Sequence, residues 1–492
     1  MPKAKNNNKY LAIVLVLAVV FFSIIVLMEC ILLRGINSGQ FLSQEPPGLA
    51  ENLPAQSPQA SPSPVPASAE PEESEPTPEA IVTPTPEPTP EPTPSVTLEP
   101  EIAQMMDQIE EQISEVRLLE MSERIPRKVY SRDELREFVR EEMLEDLDEE
   151  AESNNVRFYN LLGLLPEGLE MKTLLEDLYS EQIAGFYTIE DREMVVVAGD
   201  EFGISERLTY AHEYVHALQY ANFDIENGLG YNEDDCQEDS ERCLAIQALI
   251  EGDANLSQFL WFENHATRAD IMELILSFEE TESHVLDSAP AYLTTSMMFP
   301  YEQGTAFVQY LYSINGFDTI NEAFTTTPPV SAEQIMFPER YPDDLPVKVD
   351  LPDVLAALGE DWEIDHDGVV GAWDSYLMLS KGYDERFQID EDVALAAVEG
   401  WGGDAYALLK NESQDEFLFI MNTTWDTEED QQEAWNAFSA MLKLRFGSPG
   451  YDGLFSKDGT FARLFKTDEK GFVLILSEML DGLESLYDFL SE

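Results

Sequence analysis

Positively charged residues are scarce in this chain of 492 residues. It contains 28 Lys and Arg against 97 Asp and Glu, a formal net charge of −69. Nucleic acids are bound by clustered Lys and Arg, so this balance argues against a nucleic-acid partner and against docking on anionic lipid headgroups. The acid predicts a solvated surface that keeps the protein soluble. Adaptation to salt, and weak calcium binding at clusters such as residues 233–235, are the alternatives.

Cysteine is also rare, and three Cys in the whole chain cannot build a disulfide-dense scaffold. The hydrophobic fraction of 44% is ordinary, so a sizeable core can form. Cys236 and Cys243 lie seven residues apart on an acidic stretch. Outside the cell they can pair; as free thiols, their acidic surroundings make nucleophilic use unfavourable.

A long apolar run occurs near the N-terminus. Residues 11–28 carry no charge, and at 1.5 Å per residue they span about 27 Å, close to the hydrocarbon thickness of a bilayer. We expect a single-pass transmembrane anchor over residues 11–33. Three Lys precede it, so the positive-inside rule places residues 1–10 in the cytoplasm and the rest of the chain outside the cell. A cleaved signal peptide and a lipid-modified Cys30 are the alternatives.

Basic and aromatic residues are absent from residues 44–100, which hold 17 of the chain's 29 Pro. A segment of this composition cannot bury apolar area and prefers extended polyproline II conformations. We therefore expect a disordered stalk. At ~3.1 Å per residue it reaches at most about 180 Å from the membrane.

Apolar periodicity predicts an α+β fold in two parts, a mainly helical region over 101–345 and a smaller α+β region over 346–492. Alternating stretches at 183–189 and 193–198 predict a β-hairpin, and residues 325–352 are Pro-rich and loop-like. Helices are predicted in the first region over 101–121, 131–150, 206–220, 240–263 and 300–314. The second region has the pattern strand–strand–helix twice, over 405–410, 416–422 and 428–444 and then over 460–466, 471–477 and 479–490.

Residues 212–216 have the sequence His-Glu-Tyr-Val-His, the clearest chemical signal in the chain. On a helix, positions i and i+4 share one face, so His212 and His216 can both reach one metal ion. Imidazole suits Zn²⁺, which lowers the pKa of a water molecule towards about 7, and Glu213 can take the proton as general base. The alternative is two His packed in a core.

A catalytic zinc site needs a third protein ligand, and Glu251 is the best candidate. It lies 35 residues after His216 on a second predicted helix, within residues 248–255. A surface turn at a helix break is the non-functional alternative. Three other residues compete for the ligand role: Asp253, His265 and His284.

Residues around Glu251 fit a supporting role. Gly252 has no side chain, so we expect its helix to approach the helix of residues 206–220 closely. Asp253 and Asn255 are polar and near enough in sequence to orient a ligand His.

The pair His-Glu-x-x-His-Ala-Leu-Gln (212–219) and Glu-Gly-Asp-Ala (251–254) resembles the gluzincin branch of zinc metallopeptidases. The resemblance implies a mainly helical zincin-like domain, one zinc ion per chain, and peptide-bond hydrolysis. More closely, residues 115–445 resemble a group of uncharacterised bacterial membrane-anchored metallopeptidases, although Phe337 stands where similar sequences often have His. Five motifs carry this second resemblance: Gly-Phe-Tyr at 185–187, Phe-Pro-Tyr-x-x-Gly at 299–304, Pro-Pro-x-Ser-x-Glu-Gln-Ile-x-x-Pro-Glu-x-Tyr at 328–341, Gly-Trp-Gly-Gly-Asp at 400–404 and Trp-Asp-Thr at 425–427.

The gluzincin resemblance implies two further parts of the site. An edge strand near the metal binds the substrate backbone, and residues 194–197 are the candidate, with a plain core hairpin as the alternative. A Tyr or His donates a hydrogen bond to the oxyanion. Tyr301 is preferred because it follows Pro300 at the start of a predicted helix; Tyr187 and Tyr341 are the other candidates, and a buried structural Tyr is the alternative.

These expectations describe a membrane-anchored, extracellular zinc peptidase acting on a peptide or protein substrate, with Glu213 and Tyr301 in catalysis. The alternative, from another functional class, is a catalytically silent binding or structural protein of the cell surface that keeps a metallopeptidase fold. The sequence leaves the oligomeric state open.

Overall fold

The computed structural model describes residues 99–144, 147, 149–183, 185–189, 192–197, 202–280, 284–411 and 413–491. Within them the fold is α+β: a mainly helical region with a three-stranded sheet precedes a region built on a six-stranded antiparallel sheet. No helix in this described part of the chain is long and apolar enough to cross a membrane. The expected anchor, and all but the last two residues of the expected stalk, lie outside the described residues.

Helices form most of the first region. They are α1 (Pro100–Arg117), α2 (Arg132–Phe138, continued by a π-helical turn at Val139–Met143), α3 (Glu149–Leu162), α4 (Met171–Gln182), α5 (Ile204–Asn222), α6 (Glu233–Glu238), α7 (Ser240–His265), α8 (Arg268–Glu280), α9 (His284–Ser288), α10 (Ala291–Asn315), α11 (Phe317–Ala323) and α12 (Ala332–Met336). Cys236 and Cys243 form a disulfide between α6 and α7.

Periodicity located α1, α5 and α7 to within a few residues. The helix predicted over 131–150 is wrong in extent, because α2 and its π turn end at Met143 and α3 is a separate helix. The helix predicted from Pro300 begins nine residues earlier, since Pro300 lies inside α10. A proline removes only one helical hydrogen bond, and the buried residues on both sides of Pro300 hold the helix continuous.

The small sheet has the order β1-β3-β2, from β1 (Arg127–Tyr130), β2 (Gly185–Thr188) and β3 (Glu193–Val197). The predicted hairpin is confirmed as the antiparallel pair β2–β3. The expectation that residues 194–197 form a free edge is wrong, because β1, which the sequence analysis missed, pairs in parallel with β3. Strand β2, at one edge of the sheet, makes the main contact with α5.

The second region confirms the repeated strand–strand–helix pattern. Its sheet has the order β4-β5-β6-β9-β8-β7, with the second strand of each repeat, β6 and β9, paired at the centre. The elements are α13 (Val354–Leu358), β4 (Trp362–Gly368), α14 (Gly371–Ser380), α15 (Glu391–Val398), β5 (Trp401–Asn411), β6 (Glu416–Trp425), α16 (Glu428–Phe446), β7 (Phe455–Lys457), β8 (Thr460–Lys466), β9 (Gly471–Ser477) and α17 (Leu480–Ser491).

Both faces of this sheet are covered, which is why β6 and β9 are almost continuously apolar. Helices α13 and α17 cover one face, where Leu418 and Ile475 pack with Leu483. On the other face Phe438 of α16 packs on Phe472, and α3 joins them because Phe158 contacts Phe419. The core of the second region thus extends to a helix of the first.

Candidate metal centre

Helices α5 and α7 pack together and carry the residues of the predicted site. His212 and His216 lie one turn apart on α5, with ring centroids 4.8 Å apart. Glu251 lies near the middle of α7. All three side chains are buried, and His212 is completely enclosed.

The three side chains converge on one point. Nε2 of His212 is 3.1 Å from Oε2 of Glu251, and Nε2 of His216 is 3.4 Å from the same oxygen. One possible ligand atom from each residue lies within 4.8 Å of the others. The sequence singled out these three residues, and the structure brings them together.

The rival ligands lie elsewhere. Asp253 forms an ion pair with Arg117 and also accepts a hydrogen bond from Gln219. His265 is exposed at the end of α7, roughly 20 Å along the helix from Glu251 at 1.5 Å per residue. The side chain of His284 is outside the described part of the structure.

Strong electrostatic coupling joins these groups. Burial alone would raise the pKa of Glu251, but the charge of His216 and hydrogen bonds from both His lower it to about 2. Burial would lower the pKa of His216, but Glu251 outweighs it and raises that pKa to about 9. Burial lowers the pKa of His212. Both shifts favour a charged His216 beside an ionised Glu251 when no metal is bound, and a dication would take the place of that proton.

Glu213 lies beside the ligands without joining them. Its Oε2 accepts a hydrogen bond of 3.0 Å from the backbone N–H of Tyr187 on β2. Its Oε1 is buried and has no hydrogen-bond partner among the described residues. Without a metal, burial raises the pKa of Glu213 to about 8, and the charge of Glu251 contributes to this. A dication held by the three ligands would lower that pKa and favour the ionised form that a general base needs.

Among the tyrosines named from the sequence, Tyr301 lies at the site. Its ring centroid is 6.4 Å from that of His212, and its hydroxyl is buried near Glu251 without a hydrogen bond of regular geometry. Burial, and then the charges of Glu251 and Glu213, raise its pKa well above the usual range. The hydroxyl of Tyr341 instead donates to Thr327. Tyr187 contributes its backbone N–H to Glu213.

Two tyrosines that the sequence analysis missed lie near enough to Glu251 for its charge to affect them. Burial raises the pKa of Tyr220 and of Tyr231, and the charge of Glu251 raises both further. Tyr220 lies four residues after His216 on the same face of α5, so helical spacing alone identifies it. Tyr231 follows a loop, and nothing in its sequence context points to the metal centre.

Asp253 and Asn255, the residues expected to orient a ligand His, differ in how they relate to the ligands. Asp253 contacts neither ligand His; it accepts a hydrogen bond from Gln219, whose amide oxygen lies 2.9 Å from Nδ1 of His216. Asn255 lies close enough to His212 to affect its pKa. Its amide nitrogen donates to Thr305 on α10.

Gly252 permits close helix packing, but against α10 rather than α5. A Cβ atom at Gly252 would lie 2.1 Å from the carbonyl oxygen of Gly304, and one at Gly304 would lie 2.2 Å from the carbonyl oxygen of Ala248. The two backbones are therefore in direct contact. This contact holds Glu251 and Tyr301, which lie on the two helices, at a fixed separation.

A second acidic group, Glu333 with Asp344 and Asp426, also brings carboxylate oxygens together. Arg340 forms ion pairs with all three, and Glu333 accepts hydrogen bonds from the backbone of residues 400–401. Arg340 therefore already occupies the position among the three carboxylates, which indicates a structural role for the group.

The donor set at His212, His216 and Glu251 fits a zinc ion. Two imidazoles and one carboxylate are ligands that catalytic zinc uses with its fourth position open. Glu213 Oε1 and the Tyr301 hydroxyl are buried polar groups close enough to Glu251 to feel its charge, and neither has a regular hydrogen-bond partner among the described residues. Unpaired buried polar atoms are uncommon and point to a missing ion, water or substrate.

Comparison with known proteins adds one finding. Residues 362–476, from β4 to β9, match a family model described as a domain of unknown function, DUF8575. No curated protein and no solved structure matches the chain.

Proposed function

We propose that this chain is a zinc-dependent peptidase of the gluzincin type, in which His212, His216 and Glu251 hold the metal. One observation carries the proposal: three buried ligand side chains from two helices converge beside Glu213, a buried carboxylate with one unpaired oxygen. A Glu on a later helix, α7, as the third ligand supports the gluzincin assignment.

Each group has a distinct role in hydrolysis. Bound here, zinc supplies Lewis-acid chemistry, polarising the peptide carbonyl and making a water molecule more acidic. Glu213 accepts the proton of that water at Oε1 and delivers it to the leaving amine, while the Tyr187 N–H holds Oε2 and so orients the carboxylate. Tyr301, kept protonated by its raised pKa, donates to the negative charge that develops on the carbonyl oxygen.

The proposal extends to the setting of the enzyme: an anchor at 11–33, a stalk at 44–100 and a catalytic domain outside the cell. Its support is the charge-free run with Lys before it and the Pro-rich composition after it. Protease added to intact cells should release a large soluble fragment by cutting within the stalk. Complete protection of the catalytic domain would reverse the topology.

The general base is tested by Glu213→Gln, which keeps the shape of the side chain but cannot accept the proton at neutral pH. Peptide hydrolysis should fall by about 100-fold or more, while zinc content stays that of the wild type. Glu206→Gln, two turns earlier on α5, is the matched control and should keep full activity. Equal activity of wild type and Glu213→Gln would exclude the mechanism. That result would favour the silent binding protein.

A further inference from the structure

The two ligand histidines differ in the hydrogen-bond partner of Nδ1, the ring nitrogen that does not face Glu251. Nδ1 of His216 lies 2.9 Å from the amide oxygen of Gln219. Nδ1 of His212 is buried and makes no hydrogen bond of regular geometry to any described residue. The orientation of His216 is therefore set by a specific partner.

The orientation of the Gln219 amide follows from its other contacts. Its nitrogen donates to the carbonyl oxygen of Ile250 and to Oδ2 of Asp253, each at 2.9 Å. Both partners can only accept, so reversing the amide would place its oxygen against two acceptors. The oxygen of Gln219 must face His216. Since an amide oxygen only accepts, Nδ1 of His216 carries a hydrogen, and a metal must bind at Nε2, in place of any proton there.

Asp253 is itself fixed by a buried cation. Nε of Arg117 lies 2.7 Å from Oδ1 of Asp253, and both side chains are completely enclosed. The guanidinium of Arg117 also donates to Asn321 at 2.8 Å and lies over the ring of Phe317, 4.5 Å from its centroid. A chain of contacts thus runs from α1 and α11 through α7 to the ligand on α5.

We propose that Gln219, Asp253 and Arg117 form a buried relay that fixes His216 in its metal-binding tautomer. Arg117, which never approaches the metal, is then a positioning residue for the site. The relay rests on the metal site of the proposed function, but not on peptide hydrolysis. Hydrogen bonds behind a ligand His commonly change metal affinity by about 10–100-fold.

The test compares two buried glutamines that each donate to a backbone carbonyl across the α5–α7 contact. Gln219→Met removes the relay with little change in volume. Gln258→Met is the matched control, because Gln258 donates to the carbonyl of Leu208 at 2.8 Å and lies outside the relay. Chelator competition on the full-length protein should show zinc binding about 10–100-fold weaker in Gln219→Met and unchanged in Gln258→Met. Equal affinities in the two variants would overturn the relay.

Two further measurements separate positioning from general stability. The ¹⁵N shifts of His216 in the zinc-loaded wild type should show Nδ1 protonated and Nε2 bound to metal; metal at Nδ1 would overturn the proposal. As a single substitution, Arg117→Lys should weaken zinc binding. Added to Gln219→Met, it should weaken zinc binding no further. Additive effects of the two substitutions would show that Arg117 does not act through Gln219. A wild type that binds no zinc would instead overturn the proposed function itself.

Discussion

Two buried carboxylates, one in each region, show how the regions differ. Asp404, in the sheet region, accepts hydrogen bonds from the N–H groups of Val370 and Gly371 and from the indole of Trp401, at 2.7–2.9 Å. Glu213, in the helical region, accepts one, and its second oxygen is unpaired in the described structure. A satisfied buried carboxylate fixes structure, whereas a half-satisfied one costs stability and marks a place for chemistry.

The same comparison explains two of the motifs that accompany His-Glu-x-x-His in the sequence. Asp404 ends the Gly-Trp-Gly-Gly-Asp motif, and Glu333 of the Pro-rich motif accepts hydrogen bonds from the backbone of Gly400 and Trp401. These motifs therefore hold a strand and a loop together.

Loss of the metal should be the largest difference between the regions. Wild type should bind about one zinc per chain, and His212→Ala and His216→Ala should bind almost none, because each removes one of three ligands. His366→Ala in the sheet region, whose Nδ1 contacts Asp365, is the control and should keep the metal. Elemental analysis measures the zinc content of all four proteins. Wild-type zinc content in both His212→Ala and His216→Ala would show that these residues do not bind the metal.

Carboxylate-to-amide substitution should reduce the stability of the protein much more at Asp404 than at Glu213. Asp404→Asn turns an acceptor into a donor that faces other donors, so the free energy of unfolding should fall by about 2–3 kcal/mol with zinc content unchanged. Glu213→Gln should change stability by less than about 1 kcal/mol, because one oxygen has no partner to lose. Urea unfolding of the zinc-free proteins measures both values. A larger loss in Glu213→Gln would invalidate the comparison.

Glycine-to-alanine substitution should cost more stability where the glycine contacts a backbone than where it contacts a side chain. Gly252→Ala forces α7 away from the backbone of Gly304 and should cost about 1–3 kcal/mol and weaken zinc binding, because Glu251 is the adjacent residue. Gly482→Ala on α17 meets side chains alone, the ring of Trp362 at 2.8 Å and Leu418 at 3.6 Å. Side chains can shift more readily than a backbone carbonyl, so its cost should be smaller than that of Gly252→Ala. Thermal unfolding and zinc titration of both variants provide the check. Unchanged zinc affinity in Gly252→Ala would show that the contact does not position Glu251.

The smallest effect concerns pH. Burial, and then the charge of Asp404, raise the pKa of Asp374 to about 7, above its value in the unfolded chain. Its stabilising contribution is therefore complete at acid pH and is lost as pH rises towards about 7. Asp374→Asn should reduce the decline in unfolding free energy between pH 5 and pH 6.5 by about 1–2 kcal/mol. An unchanged slope would mean that Asp374 ionises freely in the folded protein.

Local patterns predicted much of this structure. The i, i+4 spacing identified His212 and His216, and alternation identified both the small hairpin and the central strands of the large sheet. Each signal lies within one element, where periodicity reports directly on burial. Glu251 was found in the same way, as a carboxylate inside a small-residue helix.

Contacts between distant segments could not be predicted in this way. Arg117 meets Asp253 at a separation of 136 residues, and nothing in the sequence around either one indicates the pairing. Strand β1 is four residues long and gains its partner only when it lies beside β3. Gln219 stands in the recognised motif, but its role depends on the carbonyl of Ile250 and on Asp253. These features depend on which elements meet, and periodicity does not report that.

The buried relay also sets an order in which the site is completed during synthesis. Arg117 leaves the ribosome first and the metal ligands follow, but Phe317 and Asn321, which hold the guanidinium, come roughly 100 residues after His216. At about 5–20 residues per second, the nascent chain carries both ligand His for roughly 5–20 s before α11 exists. If the proposed relay fixes His216, a metal ion that binds in that interval would meet a His216 whose anchor is unfinished, and tight retention would begin only when α11 has docked.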